Sequence, residues 1–378
     1  MTLDVDIAIA GAGPVGMATA GLLLNRGVAA GRIALIDAKP ADAAHQDPRS
    51  VALSAGSRQL LEQIGAWSTS GTPITQIHVS RRGSLGRTLI EASDYGLPAL
   101  GYVCRYGDVV ASLDDALRDS GLKMLRPAKV THVNETDAVV ALQMDNGDRL
   151  HAQWLIQAEG GVYGQQQQRS RQHDYQQTAI IAQVQADAPP PGRAFERFTA
   201  EGPLALLPQD DAYSMVWCVR HETAAHLQSL KDEDFLQALQ QAFGQRAGKF
   251  TQVGPRHAYA LGLNATANST HRSIAIGNAA QTLHPVAGQG LNLGLRDAAV
   301  LAAQLAKASS SQSLATFVDL RRRDRNTTTL LTDLMARLFA STPDRTLTQG
   351  LLGVTLGLID VLPAAKRLLA EQMMYGAR

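Results

Sequence analysis

The sequence predicts an α/β protein in which a domain built on a parallel sheet is interrupted by a second, β-rich domain and followed by C-terminal helices. Three observations support this fold class. Residues 4–37 have the pattern of a buried strand, a glycine turn, a helix and a second buried strand, which is the order of a βαβ unit. Strand-like segments dominate from about 166 to 264. A buried strand, "SIAIGNAAQ", then begins at Ser273, and mostly helical sequence follows it.

The same patterns set the domain boundaries that we expect. Asn146-Gly147 is a strong hairpin signal inside a β-meander, and extended segments flank the turn "RRGSLG". The first domain is predicted to comprise residues 1–73, 100–165 and 265–308, the β-rich domain residues 74–99 and 166–264, and the C-terminal helical region residues 309–378. The apolar final stretch, broken by Pro363, favours a pair of packing helices over a surface that contacts a membrane or a partner.

Composition and charge exclude some classes of function. Of the 378 residues, 45% are hydrophobic and 18% are charged, and the formal net charge is +1. That balance suits an ordinary globular core and gives no electrostatic reason to expect nucleic-acid binding. Between Asp319 and Arg325, arginines alternate with aspartates, and we interpret this pattern as a solvated helix face.

The cysteines, the histidines and the apolar runs indicate a reduced protein without a metal site. Cys104 and Cys218 lie far apart in apolar settings, so buried thiols are expected rather than a disulfide. The ten histidines show neither HExxH nor another paired ligand spacing, and no CxxC occurs. No apolar run reaches the ~18 residues that a spanning helix needs, and no signal-type segment is recognisable. We therefore expect a cytoplasmic protein, at most peripheral on the inner membrane.

The most informative local motif is the glycine turn of the opening βαβ unit. Gly11, Gly13 and Gly16 form GxGxxG between the strand and the helix, and Asp37 ends the next strand. In a Rossmann-like fold, such a turn lets a pyrophosphate approach the helix N-terminus, and the acidic residue hydrogen-bonds a ribose hydroxyl. The motif therefore predicts a dinucleotide site. It leaves open whether the dinucleotide is NAD or FAD.

A second glycine-rich segment, "GNAAQTLHPVAGQGLNLGLRDAA", begins at Gly277. Each glycine destabilises a helix or strand by roughly 0.5–1 kcal/mol relative to alanine, so such a cluster indicates a backbone that approaches another group or bends sharply. His284 precedes Pro285 in this segment, which favours an extended conformation at the histidine. The pattern leaves open whether His284 takes part in chemistry or in packing.

Four segments, taken in chain order, resemble one family. They are "GAGPVGMATAGLLLNRG", "DPRSVALSAGSRQLLEQIGAW", "LIQAEGG" and "IAIGNAAQTLHPVAGQGLNLGLRD". Together they resemble the FAD-dependent aromatic hydroxylases of the para-hydroxybenzoate hydroxylase type (group A flavoprotein monooxygenases) over nearly the whole chain. The segments "HPVAGQGLNLG" and "GRAFERFTAEGPLALLP" are similar to the ubiquinone-biosynthesis branch, and most of all to its hydroxylases of 2-polyprenyl-6-methoxyphenol.

The resemblance implies a Rossmann-like FAD-binding domain and assigns site residues by position. It places the FAD pyrophosphate at the GxGxxG turn and the adenosine ribose at Asp37. Arg49 is implied to lie beside the flavin and its phosphates, with a surface ion pair to Asp47 as the alternative. The other implied FAD contacts are Glu159 and Gly160 in a middle fingerprint, Gly277 and Asn278 in the second FAD fingerprint, and Pro285, Gly288, Gly290 and Asn292 along the isoalloxazine edge.

Several positions depart from the family pattern, among them Glu159, Asn278 and Gln281, the last of which replaces a common histidine. Glu159 stands where aspartate is usual, and because that motif is associated with both FAD and NAD(P)H, the choice between NADPH and NADH stays open. Asn278 also replaces a usual aspartate. Its amide can accept a hydrogen bond from a ribityl hydroxyl and can also donate one. The substitution removes a negative charge near a flavin that becomes anionic on reduction, so we expect slightly easier reduction.

The resemblance implies reduction of FAD by NADPH or NADH, formation of a C4a-hydroperoxyflavin with O2, and hydroxylation of a prenylated phenol in ubiquinone biosynthesis. His284 is a candidate base for the phenol, with a structural loop histidine as the alternative. Tyr213 and Trp217 are candidates for the ring pocket, although core packing is favoured for each. The open alternatives are another ring position, a soluble phenol, and a non-catalytic FAD-binding scaffold. Other ubiquinone-biosynthesis proteins are further candidate partners.

Overall fold

The computed structural model describes residues 3–47, 49–67, 71–83, 87–160, 173–263, 269–281, 288–307, 312–340 and 363–376. Within these residues the predicted α/β fold class is confirmed. Two large sheets and one small sheet are present, and helices pack against them. The site described below lies where the three sheets and the C-terminal helices approach one another.

The first sheet contains the opening βαβ unit. Its spatial order is β8 (Lys123–Leu125), β2 (Ile33–Ile36), β1 (Val5–Ala10), β11 (Arg149–Gln157), β10 (Val140–Met144) and β9 (Val130–Glu135), with β18 (Ser273–Ala275) also paired to β11. Strands β8, β2, β1, β11 and β18 run parallel, whereas β10 and β9 form the predicted antiparallel meander. β1 is buried over nearly all of its length, as expected for a strand of a parallel sheet that is covered on both faces.

Helices cover the first sheet and define where its strands end. They are α1 (Pro14–Asn25), α2 (Ala41–His45), α3 (Ala55–Gln63), α4 (Tyr106–Leu117) and α7 (Gln289–Lys307). α1 follows β1 after a three-residue turn and has Pro14 at its first position, where the fixed φ of proline suits a helix start. α1 packs against α7, and both contribute to one large core cluster that includes Ile9, Met17 and Leu301.

The second sheet is the β-rich part of the molecule. Its spatial order is β16 (Phe250–Val253), β12 (His173–Ala186), β15 (Ala212–Arg220), β14 (Pro203–Gln209), β13 (Arg193–Phe198), β5 (Gln76–Arg81) and β6 (Arg87–Glu91), with β17 (His257–Leu263) also paired to β12. Two stretches that are distant in sequence therefore share one sheet. One face of this sheet packs against α5 (His221–Ser229) and α6 (Asp232–Phe243).

Tyr213 and Trp217 lie on the face of the second sheet that α5 and α6 cover. Tyr213 is 1% exposed and Trp217 is 6% exposed. Their rings pack edge to face against Phe195 and Phe235, respectively. Both side chains therefore belong to the core cluster under α6, which is the role that the sequence favoured for each. Cys218, also in β15, is a free buried thiol whose pKa is raised by burial.

A small antiparallel sheet connects the two large ones. It comprises β3 (Ser50–Ser54), β7 (Gly101–Arg105) and β4 (Thr72–Ile74). The Ser50 hydroxyl donates a 2.6 Å hydrogen bond to Oε1 of Gln209 in β14. Ile74 and Val103 pack with Ala194 of β13. These contacts fix β3, and α3 directly after it, between the first sheet and the second.

The charge pattern in α8 (Gln312–Ala340) produces the predicted solvated face only in part, since Asp319, Arg322 and Arg323 are exposed. Arg321, Asp324 and Arg325 are only 5%, 1% and 8% exposed. Asp297 of α7 accepts hydrogen bonds from Arg321 and Arg325, each at 2.7 Å, and Arg296 donates to Asp324 at 2.9 Å. The prediction was wrong for these residues. The alternation of arginine and aspartate along α8 does not reveal that α7 carries residues of opposite charge that pair with them.

The last described helix, α9 (Pro363–Tyr375), starts at the proline that interrupts the apolar C-terminal stretch. It packs against α3, and its Ala370 and Met374 join Ile90 and Leu100 in a small apolar cluster. Residues 341–362, which include all of the predicted first helix of the pair, lie outside the described residues. Among the helices that are described, none is both long and apolar enough to cross a membrane.

Candidate active site

In the glycine turn between β1 and α1, close packing among the described residues requires glycine at two positions but not at the third. A Cβ on Gly11 would lie 2.6 Å from the carbonyl carbon of Ala158, and a Cβ on Gly16 would lie 1.9 Å from the oxygen of Gly11. The packing of the turn itself therefore requires both glycines. A Cβ on Gly13 would come within 3.4 Å of the Tyr106 hydroxyl, which is an ordinary contact. Among the described atoms, nothing requires glycine at position 13, so the space beside it can hold another group.

Asp37 follows β2 and borders this turn. Its carboxylate accepts hydrogen bonds from the backbone N–H groups of Ala12, at 2.7 Å, and Lys39, at 2.8 Å. An ionised carboxylate has about four lone-pair positions, and the side chain of Asp37 is only partly buried. Asp37 can therefore hold the turn in shape and still accept hydrogen bonds from a ligand.

Arg49 is connected to the same turn through Tyr106. Its Nε donates to Oδ1 of Asp47 at 2.9 Å, its Nη2 donates to Oδ2 at 2.7 Å, and its Cζ lies 5.1 Å from the centre of the Tyr106 ring. The hydrogen bond to Asp47 raises the pKa of Arg49, although partial burial opposes the shift. The ion pair that the sequence offered as an alternative is therefore present, and it holds a cation near Gly13.

Tyr106 was not identified from the sequence. It is the first residue of α4; its hydroxyl lies near Gly13 and its ring lies near the guanidinium group of Arg49. Burial raises the pKa of its phenol, although the charge of Arg49 opposes the shift, so the hydroxyl stays protonated and can donate a hydrogen bond. Its position directly after the strand β7 was the only local signal, and that signal does not reveal proximity to Gly13.

The second glycine-rich segment returns to the first turn. A Cβ on Gly277, which has φ +59°, would lie 3.2 Å from Cγ2 of Val15 in α1, and a Cβ on Gly294 would lie 2.7 Å from the same atom. Glycine is therefore needed where α7 crosses α1. Because Gly277 begins the predicted second FAD fingerprint, this crossing brings that segment beside the first glycine turn.

Asn278 lies between two glycines from different parts of the chain. A Cβ on Gly160 would be 3.7 Å from the Asn278 Cβ, and a Cβ on Gly290 would be 3.8 Å from its Oδ1. Both are ordinary contact distances, as at Gly13. Asn278, Glu159 and Gly160 are all exposed. These residues therefore line an accessible space at the carboxyl edge of the first sheet.

His284 and Pro285 lie in the segment 282–287, outside the described residues. Their predicted roles therefore stay predictions. The chain is described again from Gly288, which has φ +59°, a conformation that favours glycine. A Cβ on Gly288 would lie 3.3 Å from the Ala52 Cβ. This turn leads directly into α7, so the N-terminus of α7 follows the predicted flavin loop.

Asn292 uses every hydrogen-bonding position of its amide within the protein. Its Oδ1 accepts from the Ser54 N–H at 2.8 Å and from the Ser57 hydroxyl at 2.7 Å. Its Nδ2 donates to the carbonyls of Ala52 and Gly288, both at 2.9 Å. The residue is 2% exposed. Its side chain therefore joins the start of α7 to β3 and α3 and holds this loop in place.

An apolar pocket that opens partly to solvent lies beside the same loop. Gln289 and Asn292 of α7 form one side of it, Ile77 and Ile90 of the second sheet form another, and Met374 belongs to the side formed by α9. None of the described residues that line it is charged. A pocket of this kind suits an apolar ligand or the apolar part of a larger one. Sequence reasoning did not identify the contribution of α9 to this pocket.

The fold and these two glycine segments define a Rossmann-type dinucleotide-binding protein with an inserted β-rich sheet. More specifically, the chain belongs to the FAD binding domain family, which matches residues 4–328. It is an FAD-dependent enzyme of the aromatic monooxygenase type, as the resemblance implied. The residues present fit FAD, since a Cβ on Gly13, Gly160 or Gly290 would meet only ordinary van der Waals contacts, so that packing within the described parts of the chain does not explain these glycines.

Curated relatives come from several organisms. The chain is 32% identical over 356 residues to the ubiquinone hydroxylase UbiL of Rhodospirillum rubrum, which covers 89% of this chain and 82% of that protein. It is 29% identical over 330 residues to the 3-demethoxyubiquinol 3-hydroxylase of Escherichia coli, covering 84% of each. It is also 28% identical over 403 residues to the mitochondrial ubiquinone biosynthesis monooxygenase COQ6 of Danio rerio, covering 89% of this chain and 83% of that protein.

Solved structures share the fold at much lower identity. The p-nitrophenol 4-monooxygenase PnpA from Pseudomonas putida has a TM-score of 0.77 and 15% identity, and the match covers 100% of both chains. Klebsiella pneumoniae HpxO, solved in complex with FAD and uric acid, has a TM-score of 0.71 and 14% identity, covering 98% of this chain and 97% of that one. At these identities the similarity establishes the shared fold alone.

Proposed function

We propose that this protein hydroxylates a polyprenylated methoxyphenol, 2-polyprenyl-6-methoxyphenol, in ubiquinone biosynthesis, with NADPH or NADH as the electron donor and O2 as the oxygen source. The observation that carries the proposal is the uncharged apolar pocket at the start of α7. Because Gln289 and Asn292 line this pocket and also begin the helix that follows the predicted flavin loop, a ring near the flavin can extend an apolar tail into it. The names of the three relatives support the pathway.

In this proposal, Gly13, Gly160 and Gly290 contact FAD, and the charged and polar groups named next hold it in place. The N-terminus of α1 and Arg49 supply positive charge for the pyrophosphate, and Asp37 accepts hydrogen bonds from the adenosine ribose. Asn292 acts by holding the loop at Gly288, since its amide is fully used within the protein. The proposed FAD contacts are Gly11, Gly13, Gly16, Asp37, Arg49, Glu159, Gly160, Gly277, Asn278, Pro285, Gly288 and Gly290.

FAD, when bound, takes electrons from NADPH or NADH and then supplies the oxygen from O2 that enters the ring. The protein's own part is to orient the ring and to exclude water. The N-terminus of α7 adds partial positive charge beside the loop where the flavin ring is proposed to lie. The aliphatic side chains of the pocket keep water from the apolar tail. His284 is proposed as the base that takes the proton of the phenol, whose ordinary pKa is about 10.

Two alternatives receive less support from the site. A soluble acidic phenol calls for an arginine or lysine in the pocket, and the described lining contains neither. A non-catalytic scaffold was motivated by Glu159, yet this residue keeps the negative charge of the usual aspartate. Hydroxylation of another ring position of the prenylated precursor fits the same pocket. Contacts with other ubiquinone-biosynthesis proteins and with the membrane surface are also proposals.

The decisive experiment is lipid analysis of a strain that lacks this protein. We expect the strain to accumulate the polyprenyl-methoxyphenol and to lose ubiquinone, and we expect the wild-type gene to restore both levels. Accumulation of a later precursor would assign a different ring position. A normal ubiquinone level without an accumulated precursor would overturn the pathway assignment. In the purified protein, bleaching of bound flavin by NADPH and its recovery in O2 would exclude the non-catalytic scaffold.

A further inference from the structure

The helix α9 forms part of the apolar pocket at the cofactor loop. Ala370, Met373 and Met374 all line it. Ala370 is 3% exposed and Met374 is 5% exposed, and both pack with Ile90 and Leu100. Ala370 is the smallest of the side chains that α9 contributes, so the free volume of the pocket on this side depends on the absence of a larger side chain at that position.

α9 is fixed to the segment that supports the cofactor loop. The Ser54 hydroxyl donates a 2.9 Å hydrogen bond to the carbonyl of Met374, while the Ser54 N–H donates to Asn292. A Cβ on Gly56 would lie 2.6 Å from the same Met374 carbonyl, so the backbone of α9 lies directly on the first turn of α3. A continuous chain of hydrogen bonds therefore joins Gly288, Asn292, Ser54 and α9.

The side chains of this wall restrict the chemistry of the ligand. The lining contributed by α9 is one alanine and two methionines. Methionine is flexible and polarizable and adapts to irregular apolar shapes, which suits a branched hydrocarbon chain better than a planar polar group. The second sheet faces α9 with Ile77 and Ile90. An occupant between these walls gains free energy by leaving water and needs no hydrogen bond.

We propose that α9 is a wall of the site for the isoprenoid tail of the substrate, and that Ala370 determines how much of the tail enters. This inference rests on the proposed function, because it assumes a prenylated substrate whose ring lies near the flavin. The pocket is continuous with the start of α7 through Gln289 and Asn292, so one molecule can occupy both regions.

The test compares Ala370→Trp with Glu371→Trp in the FAD-loaded full chain. The two variants place the same ring at neighbouring positions of α9. Ala370 lines the pocket, whereas the Glu371 side chain is 51% exposed. Each is assayed with a farnesylated methoxyphenol and with 2-methoxyphenol, which lacks the tail. We expect Ala370→Trp to lower the ratio of kcat/KM for the farnesylated over the tail-less phenol by at least about tenfold, the loss expected when about two carbons of the tail are displaced from the pocket. Glu371→Trp should keep the wild-type ratio.

A binding measurement separates this inference from the proposed function. Farnesol is titrated into the same proteins, and its dissociation constant is expected to rise at least about tenfold in Ala370→Trp alone. If the wild-type protein binds farnesol more tightly than Ala370→Trp does but hydroxylates neither phenol, the proposed function fails and the isoprenoid site is retained. If it hydroxylates the farnesylated phenol but Ala370→Trp leaves both the ratio and farnesol binding unchanged, the wall is refuted. An equal loss in Glu371→Trp refutes it as well.

A smaller substitution covers the case in which the tryptophan prevents folding. Ala370→Leu adds three carbons and is expected to produce the same selective loss to a smaller degree, about threefold in the ratio. Flavin content and thermal midpoint are measured for every variant. If Ala370→Leu retains wild-type flavin content and shows no change in either the ratio or farnesol binding, Ala370 does not determine tail entry.

Discussion

Two successive parts of α7 are held by buried polar networks of different kinds. Around Asn292, the partners are three backbone groups and one serine hydroxyl, and all four are neutral. Around Asp297, one turn later, the partners are arginines and aspartates of α7 and α8. The part beside the cofactor loop is thus fixed without placing a charge there. The part farther along uses ion pairs, and its role is to hold α8 against α7.

The largest expected effect follows from removing the central carboxylate of the charged network. Asp297 is 0% exposed and accepts from Arg321 and Arg325. In Asp297→Ala, both guanidinium groups lose this partner inside the protein. Removing one member of a buried ion pair costs about 3–5 kcal/mol, so we expect a corresponding fall in the free energy of unfolding. Urea unfolding monitored by far-UV circular dichroism measures it.

The matched control for this change is Asp319→Ala. Asp319 pairs with Arg322 at 2.5 Å in the same region of α8, but both side chains are about two-thirds exposed. An exposed pair of this kind contributes roughly 0–1 kcal/mol, so the control should unfold almost as the wild type does. If the two variants lost similar amounts of unfolding free energy, burial of Asp297 would not explain its contribution to stability. FAD affinity of the folded Asp297→Ala protein should be unchanged.

A smaller loss of stability, coupled to loss of cofactor, is expected from Asn292→Ala. The Asn292 side chain forms hydrogen bonds with two backbone carbonyls, a backbone N–H and a serine hydroxyl. The substitution removes the partner of all four groups. A buried polar group without a partner costs about 1–3 kcal/mol, and water can enter to satisfy some of the four, so we expect a total near the upper end of that range. Because the amide also holds Gly288, the dissociation constant of FAD should rise about tenfold. Fluorescence titration of the apoprotein with FAD measures this constant.

Asn134→Ala is the control for Asn292→Ala, since Asn134 is an exposed residue of β9. It should change neither stability nor FAD affinity. The distinguishing result is the pattern across α7, in which the Asn292 variant weakens FAD binding and the Asp297 variant does not. If Asn292→Ala lowers stability but retains wild-type FAD affinity, its network has only a structural role, like that of Asp297.

The first domain was largely predictable from sequence because its signals are local. The GxGxxG turn between Gly11 and Gly16 follows a buried strand and precedes a helix, and both neighbours are within a few residues. Asn146-Gly147 likewise specifies its hairpin by the conformation that those two residues favour. For such elements, the residues that determine the structure are adjacent in the chain, so the sequence pattern is sufficient.

The parts of the site that sequence reasoning missed depend on contacts between distant residues. Arg321 looks solvated within α8, but its side chain is buried and pairs with Asp297, 24 residues earlier, as well as with Asp324 of its own helix. Tyr106 and Ala370 carry no motif, and their positions beside Gly13 and in the pocket arise when separate elements pack together. Their roles follow from packing that a single local pattern does not encode.

The smallest predicted effect concerns charge at the cofactor rather than stability. Asn278 is exposed between Gly160 and Gly290, and Asn278→Asp would add a negative charge to the space that it lines together with Glu159. A further negative charge opposes the negative charge that reduction adds to a flavin, so the midpoint potential should fall. An exposed charge interaction of roughly 0.2–1 kcal/mol corresponds to about 5–20 mV for a two-electron couple. Asn146→Asp, in the hairpin turn between β10 and β11, makes the same chemical change away from the site. Spectroscopic titration against a reference dye measures both variants, and an unchanged potential in Asn278→Asp would show that the asparagine does not tune the flavin.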